Sequence, residues 1–84
     1  MTVTVRLFAA VREAAGTGQV AVEPAILPAL LDGLRARFGA VFAERLAVCT
    51  VLVDGAATPA DRPVEVPGGS EVVLLPPVSG GSSR

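Results

Sequence analysis

Leu27, Leu30, Leu31, Leu34 and Phe38 recur at i, i+3, i+4, i+7 and i+11, which winds them onto one side of an α-helix. A helix with a single apolar stripe must lay it on something, and the chain around it offers sheet. "TVTVRLF" (residues 2–8) alternates strictly, with Val3, Val5 and Leu7 on one face and Thr2, Thr4, Arg6 and Phe8 on the other. "QVAVE" (residues 19–23) alternates again and is expected to pair antiparallel with the first strand. The chain has 84 residues, enough for one core. The expectation is an α+β domain with one main helix packed on a sheet.

The remaining segments fit around that plan. "AAVREAAG" is rich in helix formers and closes on Gly16, so a short helix with a glycine stop is expected. Pro28 suits the first turn of the main helix. Its start lacks a Ser, Thr or Asp cap, since Ala25, Ile26 and Leu27 fill the candidate positions, and it should fray. Gly39 ends it, and "AVFAERL" adds a further turn or two. "VCTVLV" (residues 48–53) is β-branched and continuous, as in a strand covered on both faces. Asp54-Gly55 is a turn dipeptide. Residues 56–70 carry three prolines and are expected to be mostly loop, with a short edge strand at 64–66. "EVVLL" (residues 71–75) is the last strand, stopped by Pro76-Pro77. The domain is expected over residues 1–76, followed by a flexible tail, 77–84.

Several kinds of chemistry are excluded by residue types that are missing. The chain has no histidine and no lysine; all seven basic side chains are arginine. Nucleophile–histidine arrangements, a lysine Schiff base and a P-loop lysine cannot be built. One cysteine without histidine puts ordinary structural zinc out of reach, so neither a metal nor a bound cofactor is expected, nor an enzyme acting alone. The formal charge is −1 with scattered arginines, which gives no footprint for nucleic acid or an anionic membrane. No stretch approaches the roughly 18 apolar residues of a membrane span. The absence of a secretory signal pattern makes a cytoplasmic location the expectation.

The individual motifs read mostly as structure. Gly16-Thr17-Gly18-Gln19-Val20-Ala21 matches the looser dinucleotide pattern but runs into a strand where that motif needs a helix, so a turn is expected. Cys49 reads as a small buried hydrophobe. Arg12-Glu13 and Asp61-Arg62 read as solvated charges, with docking to a partner as the alternative for Arg12. Phe8 and Leu75 fall on the outer face by strand parity, where two apolar residues on neighbouring strands could meet a partner. Pro76-Pro77 is extended and cannot continue the ladder. Gly80-Gly81 strips side chains where a backbone would enter a narrow channel, and the stretch from Pro77 to Gly81 reaches at most ~17 Å at ~3.4 Å per residue.

Two stretches, "VRLFAAVREAAG" (residues 5–16) and "GGSEVVLLPPVSGG" (residues 68–81), closely resemble the ends of the MoaD/ThiS sulfur-carrier family, nearest to the small subunit of molybdopterin synthase. "LLDGLRARFG" and "VLVDG" sit where that family has its main helix and its middle strand and turn. The resemblance implies a ubiquitin-like β-grasp fold, with a mixed sheet of about four to five strands on one main helix plus short helices. It implies a protein that is a co-substrate of a sulfurtransferase complex. An E1-like enzyme would use ATP to adenylate the Gly81 carboxylate, and sulfur would then give a thiocarboxylate. Gly80, Ser79, Val78 and Pro77 would form the passage into the large subunit of molybdopterin synthase or another sulfur-accepting enzyme, and Phe8, Leu75 and Arg12 the partner interface.

This chain departs from the family at Ile26, where a helix-opening Thr is common, and at Gly69-Ser70-Glu71 and Asp54-Gly55, which replace Gly-Asp-Glu and Asn-Gly. The larger departure is Ser82-Ser83-Arg84 beyond the diglycine. Either a protease such as a JAMM-type zinc enzyme exposes Gly81, or these residues are an expression remnant, or the chain is not activated. A carrier for cysteine, thiamine or secondary-metabolite sulfur, a ubiquitin-like modifier and an inert β-grasp module all remain open.

Overall fold

The structure is a computed structural model and describes residues 1–77. The alternating N-terminal segment forms β1 (Val3–Leu7), followed by α1 (Ala9–Ala15) and β2 (Gln19–Val22). A two-residue strand, β3 (Ala25–Ile26), leads directly into the main helix α2 (Leu27–Phe38), and α3 (Ala40–Leu46) follows across Gly39. The chain returns through β4 (Thr50–Val53), β5 (Ala56–Ala57), β6 (Glu65–Val66) and β7 (Glu71–Leu75). The principal sheet has five strands in the order β2-β1-β7-β4-β5, and β3 pairs with β6 in a small second sheet. β1 runs parallel to β7, whereas β1–β2, β4–β7 and β4–β5 are antiparallel, so the sheet is mixed.

The core lies where the apolar stripe predicted it. Leu27, Leu30, Leu31 and Leu34 of α2 are buried beneath the inward residues Val3, Val5, Leu7, Val72 and Leu74. Phe38 is half-buried, with its ring 5.1 Å from that of Phe42, which α3 turns fully inward. Burying side chains of this size contributes about 1.5–3 kcal/mol each before conformational entropy is subtracted.

Two turns depend on left-handed backbone. Gly16 closes α1 at φ 76°, and its N–H donates to the Arg12 carbonyl at 2.9 Å. Asp54 and Gly55 take φ 49° and 86° between β4 and β5, the pair of positive values that a tight hairpin needs. Gly18 leads into β2, so the glycine pattern at residues 16–21 is a turn, as expected. Neither α1 nor α2 carries a side-chain cap.

The structure corrects three expectations. Strand β4 begins at Thr50 instead of Val48, and only Val51 within it is fully buried. The N–H groups of Val48 and Cys49 are taken by Arg45 and Leu46 carbonyls as α3 unwinds, which leaves Val48 61% exposed. The short strand expected at residues 64–66 is β6, and it pairs with β3 instead of edging the main sheet. Phe8 lies just past β1 as the residue before α1, still with extended backbone.

Candidate functional site

The strand from which the chain leaves the domain is held on both sides. β7 sits centrally, with Leu74 opposite Leu7 of β1 and Val51 of β4. Pro76 and Pro77 follow, both exposed. Their rings remove the N–H donors a further ladder would require. The exit point is therefore fixed by a buried strand, and the ladder stops at Leu75. Val78, Ser79, Gly80 and Gly81, the tail residues singled out from the sequence, lie outside the described residues.

Around this exit the sheet and the first helix bring together the other predicted residues. The register pairs Leu7 with Leu74, so Phe8 falls level with Leu75 one step further along. Phe8 is 40% exposed. Leu75 is half-buried and faces outward opposite Thr50. Ala9, the next residue after Phe8, takes φ 52°, a sharp left-handed step between β1 and α1. Arg12, one turn along α1, is exposed and folds towards the loop before β2, where a Cβ on Gly18 would stand 3.4 Å from its Nε. Among the described residues Arg12 has no carboxylate partner; Glu13 instead lies 3.9 Å from Arg45 Nη1, which also donates to the Ala10 carbonyl at 3.1 Å.

Parity reasoning missed how far the outer apolar surface extends. Val73 and Leu52 face each other across β7 and β4 on the same side as Leu75, and both are half-buried. Their signal was present in "EVVLL" and "VLV", where apolar residues occupy both parities. Arg6 stands opposite Val73 and pairs with Glu71 on this face. At the other end of β7 the Glu71 N–H donates to the Asp54 carboxylate at 2.9 Å. That bond, helped by the Ser70 hydroxyl, holds Asp54 below its ordinary 3.8 against a small desolvation effect.

Cys49, the sole cysteine, is half-buried; its thiol donates to the Arg45 carbonyl at 3.4 Å, and burial pushes its pKa up, away from thiolate character. Among the described residues no group of three or more metal-ligating side chains converges, and no helix is long and apolar enough to cross a membrane. What the fold supplies is a firm exit point, an apolar face beside it and cationic side chains around it.

A mixed sheet wrapped over one main helix, with its last strand central and leading straight out, defines a ubiquitin-like β-grasp protein. The chain belongs to the ThiS family, which matches residues 5–81, and so to the ubiquitin-like sulfur carriers of ThiS/MoaD type. Solved structures agree. It is similar to SAMP1 from Haloferax volcanii, with 28% identity and TM-score 0.79 over 96% of this chain and 100% of that one. It is also similar to a molybdopterin converting factor subunit 1 from Pyrococcus furiosus, with 26% identity and TM-score 0.77 over 93% and 99%. The complex of subunits 1 and 2 of molybdopterin-converting factor from Helicobacter pylori shares the fold at 24% identity and TM-score 0.65, over 96% and 100%. No curated protein matches the chain.

Proposed function

We propose that this chain is a sulfur carrier of the molybdopterin-synthase small-subunit type, with the Gly81 carboxylate as its reactive group. A protease, of JAMM type in this proposal, removes Ser82, Ser83 and Arg84. An E1-like enzyme then joins the Gly81 carboxylate to the α-phosphate of ATP with release of pyrophosphate. A persulfide sulfur displaces AMP, and a thiol that cleaves the resulting acyl disulfide leaves the thiocarboxylate. The tail, passing through Pro77, Val78, Ser79 and Gly80, carries that sulfur into a large subunit that docks on Phe8, Leu75 and Arg12. The protein binds no cofactor in this scheme and works in the cytoplasm.

The observation that carries the reading is that the family match closes on Gly81, three residues before the last. The central position of β7 supports it, because a carrier must present a thin tail from a body that does not yield. The likeness to the Pyrococcus furiosus protein, described as a molybdopterin converting factor subunit, supports the pterin reading.

A second reading, a ubiquitin-like modifier, is favoured by the likeness to H. volcanii small archaeal modifier protein 1 at 25% identity. One experiment separates the two. Protein ending at Gly81 is incubated with its activating enzyme, ATP and a sulfur source, with and without candidate target proteins, and intact masses are taken. A thiocarboxylate supports the carrier and conjugates on target lysines support the modifier; an unchanged mass rejects both.

A further inference from the structure

The principal sheet ends at β2 on one side and at β5 on the other. β5 is two residues long, a short edge that templates little, whereas β2 runs for four residues and carries neither a charge nor a proline to discourage pairing. The alternation of an antiparallel ladder identifies which backbone groups of β2 are open. The Leu7 N–H donates to the Gly18 carbonyl at 2.9 Å, so Val5–Val20 and Val3–Val22 are hydrogen-bonded pairs in turn and Thr4–Ala21 is not. The Thr4 N–H goes the other way, to the Ser70 carbonyl at 3.1 Å. The N–H and C=O of Ala21 therefore point off the sheet, and among the described residues no strand pairs with β2 on that side. At Gln19 the edge is partly covered, because the Thr17 hydroxyl donates to its carbonyl at 3.1 Å and accepts from its N–H at 3.4 Å.

Beneath this edge a groove runs between β2 and α2. Ala21 and Glu23 form one wall, and Ala29, Gly33 and Arg37, each one helical turn from the last, form the other. The two ends of the groove carry opposite charges. Glu23 stands where the chain approaches α2, and Arg37 lies in the last turn, about 12 Å beyond Ala29 at ~1.5 Å per residue. Among the described residues neither has an ion-pair partner. Val22 points inward by parity with the buried Val20, yet it is only half-buried.

We propose that the β2 edge is a self-association surface, occupied by β2 of a second copy of this chain. A two-fold axis through Ala21 runs the second strand antiparallel to the first. Ala21 then exchanges two N–H···O=C bonds with Ala21 of the second copy, and Val22 lies directly opposite Val20 of the second copy, which completes its burial. The same axis reverses α2, so the Arg37 end of each groove meets the Glu23 end of the other. A patch that binds itself must carry charges that match when the patch is turned around, and this one does. A foreign strand would satisfy the Ala21 backbone equally well, but it would not require opposite charges at the two ends. β7 lies two strands further in, so the exit point of each chain stays uncovered.

Sedimentation equilibrium of the full chain from about 1 μM to 1 mM, the range in which small interfaces associate, tests the proposal. The mean mass is expected to rise from that of one chain towards that of two. E23R and R37E are each expected to weaken association about 10-fold, because either change turns both ion pairs into like-charge contacts. Both positions are exposed, and melting curves check that each variant folds. An equimolar mixture of E23R with R37E restores both pairs across the interface and is expected to associate as the parent does. A role for either charge within its own chain cannot produce that recovery. The Ala21 amide is expected to exchange with deuterated solvent more slowly at the top of the concentration range than at the bottom.

A parent that stays monomeric throughout, as it would if the edge took a strand from a different protein, overturns the proposal. So do charge reversals without effect, a mixture no tighter than its two components, or an Ala21 amide whose exchange ignores concentration.

Discussion

Replacing Leu74 and Leu75 by alanine, one at a time, separates the core packing of β7 from the docking role proposed for its outer face. Leu74 is fully buried between Leu7 and Val51. Truncating such a leucine costs about 2–5 kcal/mol, because transfer energy is lost and a cavity remains. A domain of this size has a total stability of only about 4–11 kcal/mol at ~0.05–0.15 kcal/mol per residue, so the loss is a large share of it. At about 4–8 °C per kcal/mol, a loss of ~3 kcal/mol lowers Tm by about 12–24 °C. Leu75 is half-buried on the outer face, and about half of a leucine's burial energy, ~1 kcal/mol, is at stake there. Leu75→Ala should therefore lower Tm by no more than about 8 °C, yet weaken binding to the partner subunit by about 5–10-fold, as loss of an apolar interface anchor does. Thermal melts followed by circular dichroism and titration calorimetry read the two effects. Equal destabilisation by both variants, or tighter dependence of binding on Leu74 than on Leu75 once both are folded, would refute the assignment of inner and outer faces.

Two further predictions concern the backbone at either end of the sheet. Asp54 has a lowered pKa in the folded chain, so its contribution is fully present above its ordinary 3.8 and is lost as pH falls through the lower folded value. In Asp54→Asn, which tolerates positive φ, that part of the acid-side slope should vanish and stability at neutral pH should fall by the amount the carboxylate contributes there, so that parent and variant converge at low pH; a pH series of urea melts checks both. Ala9 is exposed but has φ 52°, so Ala9→Val should cost about 1–2 kcal/mol although no packing is lost; a neutral result in the same melts would contradict the left-handed step beside Phe8.

Much of this architecture could be read from periodicity because each element answers to a single face. The stripe from Leu27 to Phe38 and the alternation of Val3, Val5 and Leu7 both point to one core, and the structure places them together. The Asp54-Gly55 turn followed from backbone sterics alone. A short strand at residues 64–66 is expected from the sequence, but β3 and the pairing of β6 with it are not, since a two-residue strand after Pro24 carries no period; the Leu27 N–H donates to the Val64 carbonyl at 2.8 Å beside this pair. Val48 was misplaced for a different reason. Its β-branched side chain suits a strand, but its N–H was already committed to the end of α3. At the exit, parity identified Phe8 and Leu75 as outward-facing, while Val73 and Leu52 were hidden within runs apolar on both faces. The conformation of the diglycine segment is a matter that neither period nor packing decides.

The most direct test asks which chain end supports adenylation. ATP–pyrophosphate exchange is measured with the activating enzyme and protein ending at Pro77, at Gly81 or at Arg84. The account predicts exchange with the Gly81 form alone, and with the Arg84 form only after trimming. Equal exchange with the untrimmed Arg84 form or with the Pro77 form would contradict it.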